Sequence, residues 1–339
     1  MRTSHLIGTL AIVAGAGAAH AEPAYAITGS TGGTLLVAFD TTAPAVALPV
    51  GTISGASAGH SVRAIDFRPA TGELYAISTN GSTAQLYTMN LSTAALTPVG
   101  TGFSIGTSTS TRVSMDFNPV VDRIRVVTGD GINLRVNPIT GALVTNDGLL
   151  TFDAADVNSD SDPFISDVAY TNNTAGATTT TLYGYDYLLD VIVRIGSVNG
   201  TPVSPNAGTV FTVGPSGFVA GSAGMGMDVS NATGVTYLSY DVASINTLGA
   251  VNLSTGAVTT LGAFIVDVLD IALPIAPPCQ TDLNNDGNTD QGDVDYLINV
   301  IAGGANPENI DPDFNNDGNA DQGDVDSFIN VVAGGPCPQ

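Results

Sequence analysis

The chain has 339 residues, with no lysine, eight basic residues against 31 acidic ones, and a net charge of −23. A surface of that sign repels nucleic acid and anionic lipid and favours cations, so nucleic acid is not expected as a partner. The acids are unevenly placed: residues 279–339 hold 12 of the 31 and no arginine.

At the start, Arg2 precedes an apolar stretch from Leu6 to Ala18, and Ala19-His20-Ala21 offers a small-x-small cleavage site. Residues 1–21 are therefore expected to be a secretory signal peptide, with the mature chain beginning at Glu22. The stretch is too short for a membrane span and is broken by Gly15 and Gly17; no later segment is long and apolar enough either. The expected location is secreted and extracellular, without a transmembrane anchor.

Residues 22–273 show short alternating apolar runs separated by Gly, Asn, Asp, Ser and Thr, with little helical periodicity, which predicts an all-β domain. An apolar-Asp-apolar core recurs at Ile65-Asp66-Phe67, Met115-Asp116-Phe117, Met227-Asp228-Val229 and Leu269-Asp270-Ile271, with Val168-Ala169-Tyr170 filling the missing step. A repeat of roughly 50 residues with several strands per unit points to propeller blades. After the first core, "GELYAIST", "AQLYTMNLST" and "ALTPVGTGF" supply three more strands, and Asn90, Asn137 and Asn252 each head a hairpin turn. The closing strand "VLDIAL" is expected to complete a blade begun by "AYAIT", "GTLLVAFDTT" and "VALPVGTI", which removes the open sheet edges. The expected fold is an all-β propeller of five four-stranded blades; a β-sandwich and a six-bladed ring are the alternatives.

The segments "IDFRPATGELY", "DFNPVVDRIRVV", "INLRVNPITGAL" and "AYTNNTAGATTTTLYGYD" resemble a bacterial domain-of-unknown-function family, numbered 4394, over nearly all of residues 24–273. The resemblance implies a propeller-like secreted domain and no activity.

A proline-rich linker, 274–278, leads to the acidic tail, 279–339. There "DLNNDGNTDQGD" at 282–293 returns as "DFNNDGNADQGD" at 313–324. A hard cation such as calcium takes six to eight oxygens, and a twelve-residue loop delivers them from positions 1, 3, 5, 7, 9 and 12. These positions are Asp282, Asn284, Asp286, the Asn288 carbonyl, Asp290 through water, and Asp293; in the second loop they are Asp313, Asn315, Asp317, the Asn319 carbonyl, Asp321 and Asp324. Gly287 and Gly318 stand where the loop must turn sharply. Each loop is followed by a helix-period stripe, Val294, Leu297, Ile298 and Ile301 in one and Val325, Phe328, Ile329 and Val332 in the other. Prolines precede both loops, so the unit is loop then helix, not a complete EF-hand. A disordered acidic tail lacks such stripes, and a thrombospondin-like calcium string lacks the helices.

The two halves, identical at 18 of 23 positions from Asp282 and Asp313 onward, resemble a dockerin; the flanking cysteines and closing "GGPCPQ" look like the dockerin-type anchoring modules of planctomycete-like exported proteins. The resemblance implies two calcium ions and a docking partner, either cohesin-like or another surface receptor. Gln291-Gly292 and Gln322-Gly323 stand at the loop positions that guide partner choice, and they depart from the hydroxyl-rich pairs of cohesin binders. In an exported chain Cys279 and Cys337 read as one disulfide bracketing the tail, with two free thiols as the alternative. Too few apolar side chains are available for so small a module to fold unaided, so calcium is expected to be required for its fold.

Elsewhere the signals for chemistry are thin. Gly55-Ala56-Ser57-Ala58-Gly59 matches G-x-S-x-G, but strands are expected on both sides and the nucleophile elbow needs a following helix. His60 is the one histidine beyond the signal segment. Asp66, Asp116, Asp228 and Asp270 recur with the blades, which suits a strand-pairing device better than a catalyst. Arg63, Arg68, Arg112, Arg123, Arg125 and Arg135 gather in two neighbouring blades, where they either line a pocket for a carboxylated or sulfated glycan or pair with Asp66, Asp116, Asp122 and Asp130. Asp156, Asn158, Asp160 and Asp162 alternate as a third calcium loop would, without its glycine. The reading is a non-enzymatic binding or scaffold propeller with a glycan or protein ligand, tethered by a calcium-dependent module. The rivals are an anchored glycoside hydrolase or lyase, which would need paired carboxylates in a deep axial cleft, and a self-assembling structural protein.

Overall fold

The computed structural model describes residues 21–29, 33–106, 112–275, 280–315 and 317–333. Residues 1–20 of the expected signal peptide 1–21, and the cysteine pair Cys279 and Cys337, lie outside the described residues. Five antiparallel sheets stand around an axis. Blade 1 runs outward from Asp267–Ala272 through Pro23–Gly29 and Leu35–Asp40 to Leu48–Thr52. Blade 2 begins with Ser61–Phe67, blade 3 with Val113–Asn118, blade 4 with Ile165–Tyr170 and blade 5 with Gly226–Val229, each adding its later strands outward in chain order. The innermost strands touch in sequence around the ring, and blade 5 meets blade 1. The five-bladed expectation therefore holds, and so does the divided blade: the last strand pairs antiparallel with the first, Ile27 opposite Asp270. Closure in this way leaves no free inner edge.

One blade departs from the four-strand pattern. Thr151–Phe152 adds to the outside of blade 4 in parallel register with Thr209–Pro215, giving that sheet a fifth strand. Two residues carry too little alternation to be read as a strand from sequence.

Inner strands are covered on both faces, so their exposure does not alternate; all six residues of Ile165–Tyr170, Ser166 and Asp167 included, are buried. The core lies between blades. Tyr75, Ile77, Leu86 and Phe103 of blade 2 interlock with Met115, Phe117, Ile124 and Val126 of blade 3, and the rings of Tyr75 and Phe117 meet edge-on at 5.1 Å. Each such side chain contributes about 1.5–3 kcal/mol on burial. Where inner strands crowd most, no side chain fits: a Cβ on Gly226 would stand 2.3 Å from the Ile271 amide nitrogen. The hairpin turns form as expected. Asn90 Oδ1 accepts the Ser92 and Thr93 N–H groups, and Asn137 and Asn252 do the same for their own turns. The residue before the first strand is also tied down, because the buried Glu22 carboxylate accepts from Ser230, Thr233 and Tyr237 of blade 5. Ile275, within the expected linker, packs into the blade 1 and 2 core.

In the tail, α1 (Gln291–Ile301) and α2 (Gln322–Val332) follow their loops. They share a small core of Leu283, Val294, Leu297, Ile310, Val325 and Phe328, and Phe314 packs edge-on against Phe328 at 5.1 Å. The expected stripes are only partly used, since Ile298 and Ile329 remain 45% and 47% exposed. Two short helices cover one line of side chains between them, and the third position of each stripe falls outside it. Among the described residues no helix is long and apolar enough to cross a membrane.

Candidate functional site

The axis is lined by carboxylates. Asp66, Asp116, Asp167, Asp228 and Asp270, one from each inner strand, are each 2% exposed or less. Every one of them accepts a backbone N–H from the next blade around the ring. Asp66 Oδ2 takes Phe117 at 2.7 Å, Asp116 Oδ1 takes Tyr170 at 2.9 Å and Asp167 Oδ2 takes Met227 at 2.7 Å. Asp228 Oδ2 takes Leu273 at 2.6 Å, and Asp270 Oδ2 takes Ile65 at 2.7 Å, which closes the circle. Each such bond contributes about 0.5–1.5 kcal/mol, and more where the carboxyl is ionised, so the ring is a circumferential tie as well as a cluster of acids. Asp167 escaped the sequence reading because Ser166 replaces the apolar residue before it; the Asp itself stands on the repeat, two residues before Ala169.

Crowded burial changes their protonation. Burial pushes Asp167 up to about 6 and Asp228 up to about 7. Asp66, Asp116 and Asp270 rise well above the ordinary carboxyl range, by burial first and then by repulsion from their neighbours. Two tiers separate. Asp167 and Asp270 share a hydrogen bond, with the buried Arg112 guanidinium nearby favouring their ionised forms. Arg112 itself donates to the Ser166 and Met225 carbonyls at 3.1 and 2.7 Å. In the other tier, oxygens of Asp66, Asp116 and Asp228 all lie within 4.8 Å of one another.

A cleft of about 220 Å³ opens on the flank between blades 3 and 4, lined by Arg123, Arg125, Arg135, Tyr170, Asn199 and Asn206 among others, with no carboxylate in its lining. Arg125 is buried and fixed: it donates to Asn133 Oδ1 at 2.7 Å, Asp147 Oδ2 at 2.6 Å and Asn206 Oδ1 at 2.6 Å. Arg135 grips the same Asp147 with two bonds of 2.8 and 3.0 Å. Arg123 donates to the backbone carbonyls of Asp122 and Val121. One carboxylate therefore offsets three guanidinium groups. Of the expected ion pairs, Arg68 does pair with Asp122, while Asp66 and Asp116 serve the axis. Asp147, 12 residues beyond Arg135, was not foreseen.

The loop around Ser57 leads from strand to strand, with Tyr87 Oη donating to Ser57 Oγ at 2.9 Å and accepting from its N–H at the same distance. His60 lies 3.1 Å from Ser78 Oγ. Asp156 staples its turn to the fourth strand of blade 4, accepting from Thr212 N–H and Oγ1 at 2.7 Å each, and Asn158 donates to the same hydroxyl; Asp160 and Asp162 are exposed.

The tail loops are built by their own backbone. Asp282 accepts from the Asp286 and Gly287 N–H groups and Asn284 from Asp286; Asp313 and Asn315 repeat this. Gly287 and Gly318 take φ of +90° and +91°, where a side chain would be strained. Asp290 and Asp321 cap the helices in reciprocal boxes with the buried Asp293 and Asp324. Asp293 Oδ1 also accepts from Leu283 and Asn284 at 2.7 and 3.1 Å, so the expected position-12 ligand ties the loop to its helix. Asn288 and Asn319 donate to Asp286 and Asp317 through N–H and Nδ2 alike. Gln291 and Gln322 each reach one turn on, to Asp295 and Asp326, at 3.0 Å. Among the described residues the tail carboxylates do not gather in threes as the axial ones do. The all-oxygen donor set nonetheless suits a hard cation.

A family model described as "Domain of unknown function (DUF4394)" matches residues 35–272. No curated protein matches the chain. Among solved structures, the chain is similar to a chain of a nidogen/laminin complex at 11% identity, covering 62% of this chain and 63% of that one with a TM-score of 0.35. It is similar to TolB from Acinetobacter baumannii at 15% identity, covering 73% and 54% with a TM-score of 0.40. A structural-genomics protein of unknown function from Bacteroides thetaiotaomicron matches at 15% identity, covering 70% and 54% with a TM-score of 0.42. The chain spans less than two thirds of each of these.

Proposed function

The chain belongs to the DUF4394 family, whose description names no activity, and we propose that it is a secreted, non-enzymatic binding propeller tethered to a cell surface or extracellular assembly through its C-terminal module. The cleft between blades 3 and 4 takes an anionic group, carboxylate or sulfate, of a glycan or protein ligand. One observation carries this: on a chain of net charge −23, three guanidinium groups converge on a cleft whose lining holds no carboxylate. Arg125 and Arg135 are held rigid by Asp147, so little conformational freedom is lost on binding. Arg123, which meets no carboxylate among the described residues, is the group left to pair with the ligand.

The axial carboxylates favour this reading over a glycoside hydrolase or lyase. Such an enzyme needs its acid pair to face a sugar-sized cleft, whereas these five are closed off from solvent. In the tail, Asp282, Asn284, Asp286, Asn288, Asp290 and Asp293, and their counterparts in the second loop, would hold two calcium ions in a dockerin-like module. Calcium there would offset the mutual repulsion of the tail's acids. Ile298 and Ile329, exposed at matching places on α1 and α2, offer an apolar contact to a partner protein.

Calorimetric titration with sulfated and uronic-acid oligosaccharides tests the cleft. Binding by the full chain, at least ten-fold weaker in Arg123→Ala (about 1.4 kcal/mol) and absent with neutral sugars of the same length, is the expected result. Equal binding of neutral sugars, or no loss in Arg123→Ala, would overturn it.

A further inference from the structure

We propose that Asp66, Asp116 and Asp228 hold a hard divalent cation, of the class of calcium, on the axis of the propeller. The site is distinct from the tail loops and from the arginine cleft, and nothing in the reading above depends on it.

The geometry comes first. The three residues belong to blades 2, 3 and 5, which are not all neighbours, so their carboxylates can meet only at the axis. Two oxygens held about 2.4 Å from one calcium ion lie at most about 4.8 Å apart, and all three carboxylates satisfy that limit pairwise.

The second observation is an orphan atom. Asp66 is 2% exposed, and while its Oδ2 is engaged with the Phe117 N–H, its Oδ1 makes no well-formed hydrogen bond, although the Phe67 N–H also favours the charged form of this carboxyl. A buried carboxylate oxygen without a partner costs several kcal/mol unless something positive meets it. The neighbouring Asn173, 2% exposed, turns its amide nitrogen toward Asp228 Oδ1 at 3.4 Å and leaves its own Oδ1 unpartnered.

The third is the contrast with the other tier. Asp167 and Asp270 settle their repulsion by sharing a hydrogen bond beside Arg112. Asp66 and Asp116 have no such shared bond: burial raises them first, and repulsion from Asp228, from Asp167 and, for Asp116, from Asp66 adds to it. The donors are oxygen alone, with no sulfur or imidazole, which selects calcium, magnesium or manganese over zinc or copper. An ion there would clamp three blades together from the centre.

The test uses the full chain carrying Asp282→Asn and Asp313→Asn, so that tail calcium, whether or not it binds, does not enter the count. Elemental analysis after purification in calcium and extensive dialysis should find one equivalent of metal per chain. Adding Asp66→Asn or Asp228→Asn, which keep an acceptor for the backbone N–H, should lower this to below about a tenth. The melting temperature of the parent should fall by several degrees in chelator, and that of the Asn variants should not respond. A parent that carries no metal and melts identically with and without chelator would overturn the proposal and leave protons as the neutralising charge. So would an equivalent of metal that survives in both Asn variants. If an Asn variant fails to fold, the chelator response of the parent still decides.

Discussion

The molecule carries two clusters of aspartates that differ in almost every physical respect. At the axis, five carboxylates arrive from five strands spread across some 200 residues, are closed from solvent, and are raised by burial. In the tail, each loop gathers its acids within twelve residues, leaves half of them exposed, and lowers Asp286 and Asp317 through the N–H groups of Asn288 and Asn319. The same side chain is pushed toward its neutral form in one place and toward its charged form in the other. Burial decides the first case and local donors the second.

The largest effect is expected from metal removal. In chelator the full chain should lose the circular-dichroism signal of α1 and α2 and keep its β signal, because the tail has a core of few side chains while the propeller has five interlocked interfaces. A helical signal unchanged by chelator would remove the calcium requirement from the tail. Next in size is the contrast between a closed and an open glycine. Gly226→Ala drives a Cβ to 2.3 Å from the Ile271 nitrogen and should cost about 3–5 kcal/mol in denaturant unfolding of the propeller. Gly287→Ala meets nothing within 4 Å but must adopt φ of +90°, so it should cost about 1–2 kcal/mol and affect the tail alone.

A smaller effect concerns pH and is best read away from either cluster. Burial raises Asp186, on the second strand of blade 4, to about 6 from its ordinary 3.8. The folded chain therefore holds this proton more tightly than the unfolded one. Its contribution, at most about 3 kcal/mol, is complete below about pH 4 and is lost as pH rises through 6. Stability profiles of the wild type and Asp186→Asn should diverge over that window; parallel profiles would show that Asp186 is ionised in the fold.

What was legible in the sequence follows the same division. The tail loops, the Asn-headed turns and the split closing blade are encoded locally or by simple repetition, and the structure forms them at the expected places. Convergence is not local. Asp66 and Asp228 are neighbours only because a ring closes, and Asp147 reaches Arg125 and Arg135 only because blade 3 bends back on itself. Asp167 was hidden by insisting on an apolar residue before each repeated Asp. The apolar stripes of the helices were clear, but periodicity records which side chains share a face and not how wide a face the partner covers, so the exposure of Ile298 and Ile329 could not be read from spacing.

The claim that both clusters are cation sites is tested most directly by anomalous diffraction from crystals of the full chain grown with manganese in place of calcium. The account predicts one peak among Asp66, Asp116 and Asp228 and one within each of the loops 282–293 and 313–324. An axis without a peak beside ordered, metal-free loops would contradict it.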